Sequence, residues 1–149
     1  LQGDPGWFRA KLPVDVVNST VTLADVTSLG FAVAANSDYE FEFQVLFQSA
    51  ALTTGVVLAL AGPVSPVLLS WRCEIPISAT SSALRYGSTY GVETVGTAVE
   101  QINVPRLATI QGVVRNGNTA GLVVARFRSE VAASAVVVRA GSLVRWQAF

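Results

Sequence analysis

The sequence predicts an all-β domain, an antiparallel β-sandwich of jelly-roll type with about nine or ten short strands. Three observations predict it. One ten-residue run alternates strictly between apolar and polar side chains. Several other runs are rich in β-branched residues and bounded by turn formers at regular spacing. No segment sustains a helical period. Because side chains along a strand point alternately to opposite faces, such patterns line apolar groups toward one core.

Residues 1–13 read as an N-terminal arm or linker, and 14–149 as one domain. Val14 to Val17 and Ser19 to Leu23 are the first expected strands, and Leu29 to Val33 follows. Asn36-Ser37-Asp38 makes a turn into the clearest strand, Tyr39 to Gln48. There Tyr39, Phe41, Phe43, Val45 and Phe47 share one face, while Glu40, Glu42, Gln44, Leu46 and Gln48 share the other. Further strands are Gly55 to Leu60, Val67 to Glu74, Arg106 to Arg115, Leu122 to Ser129, Ala135 to Arg139 and Leu143 to Trp146. Asn116 to Gly121 and Ala140-Gly141-Ser142 read as hairpin loops. Pro76 to Pro105 has weak periodicity and reads as one or two edge strands within long loops, which serve either for recognition or as an ordinary mobile connection.

At 149 residues the chain is long enough for one core. Charged residues make up only 13%, against about 25% in an ordinary soluble domain. A surface so poor in charge points to a homo-oligomer. Net charge is zero, so no global field draws the chain to nucleic acid or an anionic membrane. The distribution is uneven. Residues 1–105 carry Arg9, Lys11, Arg72 and Arg85 against nine carboxylates, a balance of −5; residues 106–149 carry six arginines against Glu130, a balance of +5. Either strands from the two halves pair, or each half meets its opposite across a subunit boundary. No run of 18 apolar residues exists to span a bilayer as a helix. The first residues lack the basic and apolar regions of a signal peptide, and the absence of Met suggests a piece of a longer product.

The inventory of reactive groups argues against catalysis. With no histidine, the common nucleophile–base pairs and His metal sites are missing. Cys73 is alone and reads as a buried structural thiol. Glu40 and Glu42 stand roughly 7 Å apart on one strand face, a spacing also found in inverting glycosidases, but on the polar face of an amphipathic strand they read as solvated carboxylates. Asp4, Asp15, Asp25 and Asp38 lack the spacing of a calcium loop, and Gly112, Gly117 and Gly121 lack the helix that a phosphate loop needs. Asn18-Ser19-Thr20 matches the glycosylation sequon and reads as a turn. No catalytic, cofactor or metal site is expected.

Binding residues are more legible. Arg126 and Arg128, with Arg139 and Arg145 on later strands, form an outward ladder expected to oppose Glu40 and Glu42 in the same subunit or the next. Phe127 faces away from both arginines, against a nucleic-acid platform. Trp7, Phe8, Trp146 and Phe149 are candidates for docking on a partner. Tyr86 and Tyr90, with a tryptophan, could grip a glycan from the 76–105 loops.

Two blocks carry a family resemblance. Tyr39-Glu40-Phe41-Glu42-Phe43, then Gln48 to Gly55 and Leu60-Ala61-Gly62-Pro63, form the first. Arg106 to Gly112, Asn116-Gly117, Ala120-Gly121, Arg126 to Glu130 and Ala140-Gly141-Ser142 form the second. Together, over Val16 to Ser142, they resemble virion structural proteins of tailed bacteriophages. The resemblance implies a homotrimeric β-domain on the particle exterior, contacting capsid or tail proteins as capsid decoration (cement) proteins, head fibres and tail fibres do. Its alternative is a host receptor or glycan-binding module at a fibre tip. Asp4 to Leu12 and Leu143 to Phe149 depart from the pattern.

Overall fold

The computed structural model describes residues 6–149, and among these the chain forms twelve strands and no helix. They are β1 (Phe8–Lys11), β2 (Val16–Asn18), β3 (Ala24–Val33), β4 (Asp38–Ser49), β5 (Val56–Ala61) and β6 (Leu68–Pro76), then β7 (Ser82–Gly87), β8 (Thr94–Val95), β9 (Arg106–Arg115), β10 (Gly121–Ser129), β11 (Val136–Val138) and β12 (Leu143–Ala148).

Eight of them pair in a nested way. β3 pairs with β10, β4 with β9, β5 with β8 and β6 with β7, all antiparallel. The chain from β3 to β10 is thus one long antiparallel ribbon. Successive rungs of that ribbon fall in opposite sheets, and the pairs β10·β5 and β9·β6 roll it closed. The resulting orders, β3-β10-β5-β8 and β4-β9-β6-β7, make a jelly roll. The predicted fold class is the observed one.

The remaining strands widen the second sheet. β11 and β12 lie end to end along the free edge of β4, and β2 and β1 lie along them in turn. The break at 139–142 is held rather than open. The Ser142 hydroxyl donates to the Arg139 carbonyl and accepts from the Leu46 N–H, while the Leu12 N–H donates to the Ser142 carbonyl.

The core lies between the sheets. β4 buries every second side chain, from Tyr39 to Ser49, and Phe43 and Phe47 are wholly inaccessible. β10 answers with Val123, Ala125 and Phe127. β5 is buried on both faces, as its unbroken apolar run requires; Val57 and Ala59 face Arg128 and Arg126, whose methylene stems can cover them. Gly112 sits mid-strand in β9 because a Cβ there would fall 2.6 Å from both the Ser70 carbonyl oxygen and the Phe41 ring.

Several expectations need correction. There are twelve strands rather than nine or ten. Ser19 to Leu23 is a loop, because the Asn18 side chain accepts from the Thr20 N–H and hydroxyl and donates to the Thr22 and Phe127 carbonyls, taking the groups a ladder would use. Asn116 to Gly121 is no hairpin: β9 and β10 belong to different sheets, and buried Asn116 bonds the Ala34 and Thr119 carbonyls to hold the crossover. Ala140 to Ser142 is likewise a break in one strand line, since β11 and β12 both pair with β4. β3 begins earlier than expected and carries a bulge, with Ser28 at φ 78°. The segment 76–105 holds two edge strands, β7 and β8, as anticipated. Of the arm foreseen over 1–13, residues 1–5 lie outside the described residues, and Phe8–Lys11 forms the edge strand β1.

Phe43→Ala should lower unfolding stability by about 3–5 kcal/mol, read from urea denaturation, because no neighbour in two paired sheets can collapse fully into the space.

Candidate functional site

The outward face of the larger sheet gathers the chemically versatile side chains. Registers place Arg9, Arg145, Glu42, Gln111, Arg72 and Tyr86 in one lateral row across β1, β12, β4, β9, β6 and β7. The adjacent row is Gln147, Glu40, Val113 and Ser70. Glu40, Val113 and Ser70 of this second row line a concavity of about 450 Å³, with Trp7 and Arg145 on one side and Arg72 and Tyr86 on the other. Trp7 lies 5.0 Å over the Arg145 guanidinium.

Glu42 is firmly held. Its carboxylate accepts from Gln111 Nε2 at 2.8 Å and Gln44 Nε2 at 3.4 Å, and pairs with Arg145 at 2.8 Å. Burial alone would raise its pKa, yet these bonds and the Arg145 charge more than offset that, and the pKa is lowered. The carboxylate of Glu40, beside it, has no hydrogen bond or ion pair among the described residues. Arg145 Nε is buried without a partner.

The arginine ladder divides between the sheets. Arg126 and Arg128 lie on the outer face of the smaller sheet, so they cannot meet Glu40 and Glu42 of the larger one within the chain. Arg126 pairs with Asp25 at 2.8 Å, and Arg139 with Asp15 at 3.3 Å. Arg128 holds Glu93 through two bonds, Nε at 2.8 Å and Nη2 at 3.0 Å, which lower the Glu93 pKa and raise that of Arg128. Arg106 pairs with Glu100 and Arg115 with Asp38. With Arg145–Glu42, every one of the six arginines after residue 105 meets a carboxylate from before it.

The aromatic candidates also separate. Phe8 stacks on Trp146 at 5.8 Å and Trp146 on Phe31 at 5.3 Å, a column closing the open side of the sandwich, with Phe8 largely exposed at its outer end. Phe149 is exposed, and its N–H donates to the Asp38 carbonyl. Tyr86 lies on a strand, not a loop, and is 70% exposed. Tyr90 is partly buried: its ring packs over Gly62, where a Cβ would lie 2.3 Å away, its hydroxyl is buried with no hydrogen-bond partner among the described residues, and burial pushes its pKa up to about 12. Cys73 is buried and its thiol pushed up to about 11, chiefly by burial. No cluster of three or more potential metal ligands occurs among the described residues.

Gln111, Ser70 and the outward role of Arg72 escaped sequence reading. They come together only through the order β4-β9-β6-β7, which alternation within single strands does not reveal.

No protein-family model matches the chain, and no curated protein does. Among solved structures it is similar to infectious bursal disease virus Gt strain, at 11% identity and TM-score 0.27 over 97% of this chain and 38% of that one. The VP2 subviral particle of that virus gives 10% and 0.26 over 99% and 41%, and its T13 viral particle 12% and 0.27 over 99% and 39%. The chain spans about two fifths of the length of those proteins. Values this low establish no kinship, and the jelly-roll assignment rests on the strand pairing.

Both Glu42 and Glu93 have native pKa values below their unfolded ones, so their stabilising contribution is full above the ordinary value of 4.5 and is lost as pH falls through the lowered native values. Urea midpoints measured from about pH 7 down to about pH 3 should fall along this limb, and Glu42→Gln should flatten it. At neutral pH, Arg128→Ala should lower stability by about 1 kcal/mol, and Arg128→Lys should restore only part, since lysine lacks the two-pronged donor.

Proposed function

We propose that the protein is a non-enzymatic virion structural domain that assembles as a trimer on the exterior of a tailed-phage particle, as capsid decoration or as part of a fibre. The observation that carries this reading is the surface left once the six arginines after residue 105 are paired inside the chain: poor in free charge, with large apolar side chains exposed. Val64 and Val67 are exposed in the loop before β6, Leu68 on the outer face of the larger sheet and Leu122 on that of the smaller one, all at the end where the 62–67 loop meets the β9–β10 crossover, Gly117 abutting Ser65 and Gly121 abutting Pro63. Burial of such a patch drives association without a charge requirement. The tailed-phage setting follows from the two residue blocks that resemble virion proteins. The carboxylate chemistry supports a non-catalytic role, since Glu42 is held ionised where an acid catalyst needs a raised pKa.

Size exclusion with light scattering at micromolar concentration should give three times the 15.7 kDa chain mass, and Val67→Lys with Leu122→Lys should reduce it to one. A stable wild-type monomer would sink self-association. Antibody against the domain should decorate the outside of particles of the phage that encodes it in electron micrographs; unlabelled particles would remove the virion assignment.

A further inference from the structure

The concavity on the outer face of the larger sheet is lined by none of the residues assigned to assembly, and its lining has a chemistry of its own. Tyr86 presents an exposed ring at one end, and Trp7 caps Arg145 at the other. Between them stand Glu40, whose carboxylate has no partner among the described residues, the hydroxyl of Ser70 and the amide of Gln111. From these observations we infer that this groove binds an oligosaccharide, read by side chains of the sheet face.

Four features select that ligand. Aromatic rings at the ends offer apolar faces on which the C–H face of a sugar ring stacks. Glu40 accepts from hydroxyls, while Gln111 and Arg72 supply donors, so vicinal hydroxyls meet both kinds of group. The fixed charges largely cancel, with Glu42 paired to Arg145 and Glu74 to Arg72, and uncompensated Glu40 repels phosphate, which disfavours nucleic acid. The backbones of β4, β9 and β6 are paired on both sides, so no extended peptide can add as a strand here. Length matters as well. Arg145 and Tyr86 are separated by four strand spacings, roughly 19 Å, which suits several sugar units rather than one.

The test uses an array of immobilised bacterial O-chains, capsular polysaccharides and linear hexose oligosaccharides, followed by calorimetry on the sugars that bind. Saturable binding to at least one is expected. Tyr86→Ala should weaken it about tenfold, Glu40→Gln should weaken it several-fold, and Arg126→Ala on the opposite sheet should leave it unchanged. Both groove residues are accessible, and thermal melting of each variant should match wild type. Absence of binding across the array, or undiminished binding by the Tyr86→Ala/Glu40→Gln double variant, would overturn the inference. So would a drop in the light-scattering mass of that double variant, which would assign the face to a subunit contact. The saccharide test does not depend on the oligomeric state, so the two proposals can fail separately.

Discussion

The twelve residues of β4 must satisfy two strand neighbours and two faces at once. One edge pairs with β9 along ten residues, and the other carries β11 and β12 in succession. Its inward side chains supply Phe41, Phe43, Val45 and Phe47 to the core, and its outward ones supply Glu40 and Glu42 to the groove. A register slip of one residue would send two carboxylates and two glutamines into the core, a change no partner there could compensate. Alternation on this strand therefore fixes the register of the larger sheet, and through β9 that of the roll.

Nested pairing explains the charge distribution. When a ribbon folds so that early strands lie against late ones, residues distant in sequence become cross-strand neighbours. Arg145 stands opposite Glu42, Arg115 opposite Asp38, and Arg126 opposite Asp25. A chain with halves of −5 and +5 becomes locally neutral by topology alone. Exposed pairs of this kind are individually worth about 1 kcal/mol or less, so their effect is to neutralise the surface rather than to hold the fold.

The fold class was legible because alternation is a property of single strands. Tyr39 to Gln48 and Leu122 to Ser129 needed no partner to be read. Sheet membership is a relation between strands, and there the reading of single runs stops. Arg126 and Glu42 share an outward-facing pattern, yet nothing in either strand says that the sandwich lies between them. The crossover at 116–120 has the composition of a hairpin loop because a turn that changes sheets needs the same small and polar residues as one that does not. Ser19 to Leu23 has strand propensity that Asn18 overrides with four side-chain bonds. Tyr90 resembled Tyr86 in sequence, but only the apposition of the 88–93 loop with Gly62 decides that one ring is partly buried and the other presented.

Edge protection separates sheet extension from patch burial as a mode of assembly. β7 is the outer strand of the larger sheet, and its free edge would be a template for a second chain. Arg85 stands opposite buried Cys73, on the inward row of that edge strand, and its guanidinium reaches the Glu93 carbonyl. An inward-directed charge at a sheet edge must keep a route to water, and a strand added along β7 would close that route. Continuation of the sheet is thus disfavoured at the strand that also presents Tyr86. Association through Val64, Val67 and Leu122, none of which lines the groove, leaves both this edge and the groove open, so a domain assembled in that way can still offer its groove to a ligand.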